Sequence, residues 1–267
     1  MKLFYRKFGE GPALFILHGL YGASDNWVTI AKSLSDTFTV YLPDQRNHGQ
    51  SPHSDIHDYD SMSDDLYELL KELHIKKFFL AGHSMGGKTA IAFALKWPEL
   101  LNGLMVMDIS PFSDENTRLP FYTQHLTILS TILSLDLGKV HSRTDADKLI
   151  AGKITSERLR NFILKNLERN PDGTFRWKIN VSSLYSNLDK IMEGIAMNDG
   201  AFQPVTGFPV VFLKGATSNY ILASDVTDIR KIFPAAEFIV INGAGHWLHS
   251  DKPEEVITNI KNLLTDY

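Results

Sequence analysis

Short runs of consecutive apolar residues recur along the chain, and stretches of helical periodicity separate most of them. The runs are ALFILHG (13–19), FTVYLPD (38–44), KFFLAGH (77–83), GLMVMDIS (103–110), FPVVFLKG (208–215) and AEFIVING (236–243). Val, Ile, Leu and Phe fill neighbouring positions in them rather than alternate ones. That pattern predicts strands covered on both faces, as in a parallel sheet. KLFYRKFG (2–9) alternates instead and predicts an antiparallel edge strand.

Three helices are legible between these runs. Residues 61–74 open on a serine and early acids, and Leu66, Leu69, Leu70 and Leu73 form one stripe. Residues 85–97 are closed by Pro98. Residues 253–265 begin with Pro253, Glu254 and Glu255, and Val256, Ile257, Ile260, Leu263 and Leu264 form the face to be buried. Between 111 and 205 the strand runs stop, and helices are expected at 120–135, 144–152, 155–170 and about 182–193. The segments DISPFSD and GAFQPVTGFP bracket this stretch, and strand runs of the same character resume at 208. The expectation is an α/β domain with a mostly parallel sheet flanked by helices. Residues 1–110 and 206–267 form the core, and 111–205 form an inserted helical cap.

Composition narrows the function classes. The chain has 267 residues, 43% of them apolar, which suffices for a substantial core. Its formal charge is −4 with the cations scattered, so neither a nucleic-acid nor a membrane partner is expected. There is no cysteine, which excludes disulfides, thiolate metal sites and a cysteine nucleophile. MKLFYRKFGEGP lacks a signal-peptide apolar core, and a cytoplasmic location is the expectation.

Candidate chemistry concentrates at Gly82-His83-Ser84-Met85-Gly86. A G-x-S-x-G segment after a strand and before a helix is the pattern of a nucleophile elbow. The serine must adopt a strained backbone conformation, and close approach of helix to strand leaves no room for side chains at 82 and 86. A serine needs a base. His246 follows the last strand run and is the expected one, with His249 its nearest competitor. His83 adjoins the serine, and packing is its expected role. The base needs an orienting carboxylate. The usual place, after the next-to-last strand in a G-x-x-D pattern, reads Gly215-Ala216-Thr217-Ser218 and has no acid. Asp108, 24 residues after Ser84 at the end of a buried strand, is the expected acid, and Asp225 is the alternative. Backbone N–H groups of Leu20 and Met85 are the expected oxyanion donors. HSDIHDYD, with His53, Asp55, His57 and Asp58, is expected to be a solvated loop rather than a metal cluster. In Asp44-Gln45-Arg46-Asn47-His48-Gly49, pinning of loops is at least as well supported as substrate contact.

HGLYGASDNW, PDQRNHGQSPH, GHSMGGKTA, MDISP and GAGHWLHSDKP together resemble the α/β-hydrolase fold serine esterases, in particular the YbfF-type bacterial esterases and related mitochondrial abhydrolase-domain proteins. The resemblance covers essentially the whole chain. It implies hydrolysis of small acyl esters or thioesters, an acid at Asp108, and no metal or organic cofactor. Similar folds also catalyse carbon–carbon cleavage with the same triad, as in MenH-type proteins. An arginine after the elbow would favour that alternative, and Lys88 stands there.

Overall fold

The computed structural model describes residues 1–113, 115–195 and 203–263, and the side chains of 115–118 also lie outside that description. Nine strands occur among the described residues. In chain order they are β1 (Tyr5–Phe8), β2 (Ala13–Leu17), β3 (Thr39–Pro43), β4 (Phe78–His83), β5 (Leu101–Met107), β6 (Leu167–Arg169), β7 (Phe175–Trp177), β8 (Val210–Gly215) and β9 (Glu237–Ile241). Seven of them form one sheet in the order β1-β3-β2-β4-β5-β8-β9. β1 pairs antiparallel with β3 at one edge, and the remaining pairings are parallel.

The consecutive apolar runs are explained by two apolar layers, one on each face of the sheet. Phe15 and Leu17 of β2, Leu80 of β4, Val106 of β5 and Phe212 of β8 point into one layer. Their neighbours Leu14, Ile16, Ala81, Met107 and Leu213 point into the other. Helices α1 (Val28–Leu34), α2 (Tyr59–Glu72) and α3 (Met85–Lys96) cover the strands up to β5. The first layer is closed by Leu66, Leu69 and Leu70 of α2 and by Ile91 and Phe93 of α3. Ile30 and Leu34 of α1 pack into the second. Helix α2 starts two residues earlier than its serine suggested. Asp58 is its N-cap and accepts from the Ser61 N–H at 2.8 Å.

Between β5 and β8 come α4 (Glu115–Leu133), α5 (Arg143–Ile150), α6 (Glu157–Leu164), the hairpin β6–β7, α7 (Val181–Ser186) and α8 (Leu188–Met192). The helix expected to reach residue 170 therefore stops at Leu164. Asn170-Pro171-Asp172-Gly173 makes a turn, with Gly173 at φ +89, and returns the chain antiparallel. The insertion has its own apolar cluster, including Ile128, Leu129, Ile163 and Leu184, and the side chains of Leu20 and Met85 belong to it. The insertion thus packs on the two residues that carry the expected oxyanion donors.

The chain closes with α9 (Asp225–Ile232), α10 (Leu248–Asp251) and α11 (Pro253–Asn262). Val256, Ile257, Ile260 and Leu263 are buried as expected, and Leu264 lies outside the described residues, as do residues 200–202 of the second bracketing segment. One strand departs from the expectation. The run AEFIVI, read as covered on both faces, is the outer edge β9, where Val240 is 53% exposed. Among the described residues no helix is long and apolar enough to cross a membrane.

Candidate active site

Ser84 stands between β4 and α3 with φ 54 and ψ −120. This conformation costs an L-residue on the order of 1–3 kcal/mol, so the surroundings must impose it. They do so by close approach. A Cβ on Gly82 would lie 2.2 Å from the Gly86 carbonyl oxygen, and one on Gly86 would lie 2.5 Å from that of Leu17. The elbow is therefore wedged between β4, the end of β2 and the first turn of α3.

Ser84 Oγ–H donates to His246 Nε2 at 3.0 Å, and His246 Nδ1–H donates to Asp108 Oδ2 at 2.8 Å. Asp108 directly follows β5, also at positive φ (52), and is fully buried. Two further donors meet its carboxylate. The Gly215 N–H reaches Oδ1 at 2.9 Å, and the Ser218 hydroxyl donates to Oδ2. A buried carboxylate needs such partners. Ser218, at the position where an acid is first sought, thus holds the Asp108 carboxylate in place, a role the sequence reading did not assign. The alternative acid, Asp225, accepts from the Leu222 N–H at 2.8 Å and caps its own turn.

His246 is held as firmly as Asp108. His83 Nε2–H donates to the His246 carbonyl at 2.7 Å, so its packing role includes fixing that loop. Burial and the neighbouring His246 and His249 hold the His83 imidazole well below its ordinary pKa. Tyr220 stacks on the His246 ring with centroids 3.7 Å apart, and Phe121 of α4 stacks on Tyr220 at 4.0 Å. His249, the competing base, stacks on Trp27 at 4.5 Å, and burial followed by His246 lowers its pKa to about 4.

The loop that carries Leu20 is fixed by two buried, neutral histidines. His18 Nε2 accepts from the Gln45 N–H at 2.9 Å, which leaves Nδ1–H to donate to the Gly19 carbonyl. His48 Nε2 accepts from the Tyr21 N–H at 3.3 Å. Burial depresses both pKa values. The Asp44–Gly49 segment thus pins loops. Arg46 pairs with Asp65 at 2.6 Å, and Asn47 bonds Asn180 and Ser183 of the insertion. The backbone N–H groups of Leu20 and Met85 donate to no described residue.

The HSDIHDYD stretch is not uniformly solvated. His53 is exposed and bonds the Lys178 carbonyl, whereas His57 is fully buried. His57 accepts from Asn47 Nδ2 and donates from Nε2 to Met85 Sδ at 3.4 Å. Burial drives its pKa to about 3. The sequence reading missed this because the polar neighbours of His57 masked an inward-pointing position.

A cavity of about 80 Å³ opens beside Ser84 and His246. Tyr21, His125, Ile128, Phe162, Tyr220 and Trp247 are among the residues that line it. From the insertion, Ile128 and Phe162 reach this cavity, Phe121 backs Tyr220, and Leu126 and Trp177 pack within the insertion itself. An open groove of about 760 Å³ adjoins it and shares Asn26, Phe162, Trp247 and His249.

A mostly parallel sheet with a nucleophile elbow and a histidine loop at its carboxyl edge defines a hydrolase class. The α/β hydrolase fold family matches residues 12–253, and the chain belongs to that family. It is a serine hydrolase. A protein of Danio rerio named "sn-1-specific diacylglycerol lipase ABHD11" is 38% identical over 96% of this chain and 79% of its own length. "Esterase YbfF" of Escherichia coli (strain K12) is 30% identical over 95% of this chain and 93% of its own. The solved structure of a "Marine microorganism esterase" superposes with a TM-score of 0.93 at 44% identity, covering 98% of this chain and 99% of that one.

Proposed function

We propose that the protein is a carboxylesterase acting on small acyl esters through Ser84, His246 and Asp108. The observation that carries this reading is the continuous relay from Ser84 Oγ through His246 to Asp108, with both hydrogen bonds at 3.0 Å or less. His246 Nε2 takes the Ser84 proton as Oγ attacks the ester carbonyl carbon. The carbonyl oxygen becomes an oxyanion, and the Leu20 and Met85 N–H groups stabilise it. Collapse breaks the bond to the alcohol oxygen, which leaves with the proton from His246. Water then gives a proton to His246 and attacks the acyl-enzyme. The second collapse frees the acid and returns the proton to Ser84. Asp108 holds the imidazole tautomer and stabilises the imidazolium in both steps.

The insertion, read as the cap unit 111–205, closes over this site and sets which groups enter. The inner cavity beside Ser84, about 80 Å³, suits a small group there, and the adjoining space of about 760 Å³ leaves room for the rest of an ester. The carbon–carbon-cleaving alternative gains no support from Lys88, whose amine donates to the Glu193 carbonyl of the insertion.

The test is hydrolysis of p-nitrophenyl esters of two to sixteen carbons by the wild type and Ser84→Ala. Turnover of the short esters, with a loss of at least ~10³-fold in the variant, is the expected result. A folded wild type that turns over no ester overturns the reading.

A further inference from the structure

Tyr21 and His125 come from different parts of the chain, 104 residues apart, and meet beside the nucleophile. Tyr21 Oη and His125 Nδ1 are 3.1 Å apart, and both residues line the cavity that contains Ser84 and His246. Tyr21 follows the proposed oxyanion donor Leu20. Its backbone is held on both sides, with the N–H on His48 and the carbonyl accepting from Asn166 Nδ2 at 2.8 Å. The proposed relay uses neither side chain.

We infer that this pair recognises a neutral hydrogen-bonding oxygen, a hydroxyl or keto group, on the part of the substrate that enters the inner cavity. The inference rests on the esterase reading. The chemistry of the pair supports it in either tautomer. If Tyr21 Oη–H donates to Nδ1, the pair retains the Nε2–H donor and the phenol oxygen as acceptor. If Nδ1–H donates to Oη, it retains the phenol O–H donor and Nε2 as acceptor. One donor and one acceptor therefore remain for a ligand, which suits an alcohol or a carbonyl.

A charged oxygen fits less well. No lysine or arginine lines this cavity among the described residues. Burial and the nearby His246 lower the His125 pKa to about 4, so the ring is neutral at neutral pH. A carboxylate would enter without a countercharge. A purely hydrocarbon group would cover the polar pair and leave it unsatisfied, and sites built to hydrogen-bond a substrate discriminate strongly against analogues lacking that group.

Two matched ester pairs test this, each replacing a hydroxyl by a methyl of similar size. Methyl 3-hydroxybutyrate against methyl 3-methylbutyrate probes the acyl side, and 2-hydroxypropyl butyrate against 2-methylpropyl butyrate probes the alcohol side. The wild type is expected to prefer the hydroxyl ester in at least one pair by about 10- to 100-fold in kcat/KM. Tyr21→Phe and His125→Leu should each bring that ratio below about threefold, while His125→Gln, which keeps a donor and an acceptor, should retain most of it. A wild type with no preference in either pair overturns the inference, as does a ratio that survives both His125→Leu and Tyr21→Phe. If p-nitrophenyl butyrate is hydrolysed in those same preparations, the esterase reading stands apart from that failure. If no ester at all is hydrolysed, both readings fall.

Discussion

β5 and β8 are neighbours in the sheet, and both end at the edge where Ser84 stands. β5 is followed by Asp108, at φ 52, and supplies a negative charge. β8 ends in Gly215 and is followed by Ser218, and this end supplies hydrogen-bond donors to that charge. The two ends are not interchangeable in their packing. A Cβ on Gly215 would lie 2.3 Å from the Gly245 carbonyl oxygen, so the end of β8 is pressed against the loop that carries His246. That contact brings the Gly215 N–H to Asp108. One strand end thus carries the charge while the other satisfies it. The wider lesson is that a buried carboxylate can stand at one strand end, provided the neighbouring end turns donors toward it.

The comparison can be broken most severely at β5. Replacing Asp108 by glycine, which tolerates the positive φ, should lower kcat/KM on p-nitrophenyl butyrate by roughly 10⁴-fold. Moving the acid to the other strand end, as Asp108→Gly with Ser218→Asp, should recover about 10-fold or more of that loss, because the Ser218 side chain already touches the carboxylate position. No recovery would mean that the two strand ends differ in more than the residue they carry. Ser218→Ala alone keeps the charge and removes one donor, and a loss of about 10-fold is expected. The smallest effect belongs to Asp225→Asn, which should stay within about twofold of the wild type, since that carboxylate serves the Leu222 N–H. Steady-state kinetics on one ester measures all four.

Much of the core was legible because burial on both faces leaves no polar gaps in a strand, as in Leu14 to Leu17 with every residue buried. The edge β9 resembles a buried strand in sequence because Phe238, Ile239 and Val240 are all apolar, although the first two are half-buried and Val240 is exposed. In the insertion, Leu167 extends the helical spacing of Leu159, Ile163 and Leu164 although it lies in β6, and the turn at Gly173 carries the contrary signal. The residues expected at the site, Ser84, His246 and Asp108, come together because each sits where a strand ends, and strand ends can be read along a sequence. The roles of Ser218 and of the Tyr21–His125 pair could not be read that way. They depend on segments 110 and 104 residues apart that only the folded sheet and insertion bring into contact.

The most direct test of the displaced acid is the rate at which Ser84 is phosphonylated by a fluorophosphonate, followed by intact mass. The account predicts one adduct on Ser84 in the wild type, an unchanged rate in Asp225→Asn, and a rate lower by at least ~10³-fold in Asp108→Asn. Labelling of Asp108→Asn at the wild-type rate would contradict it.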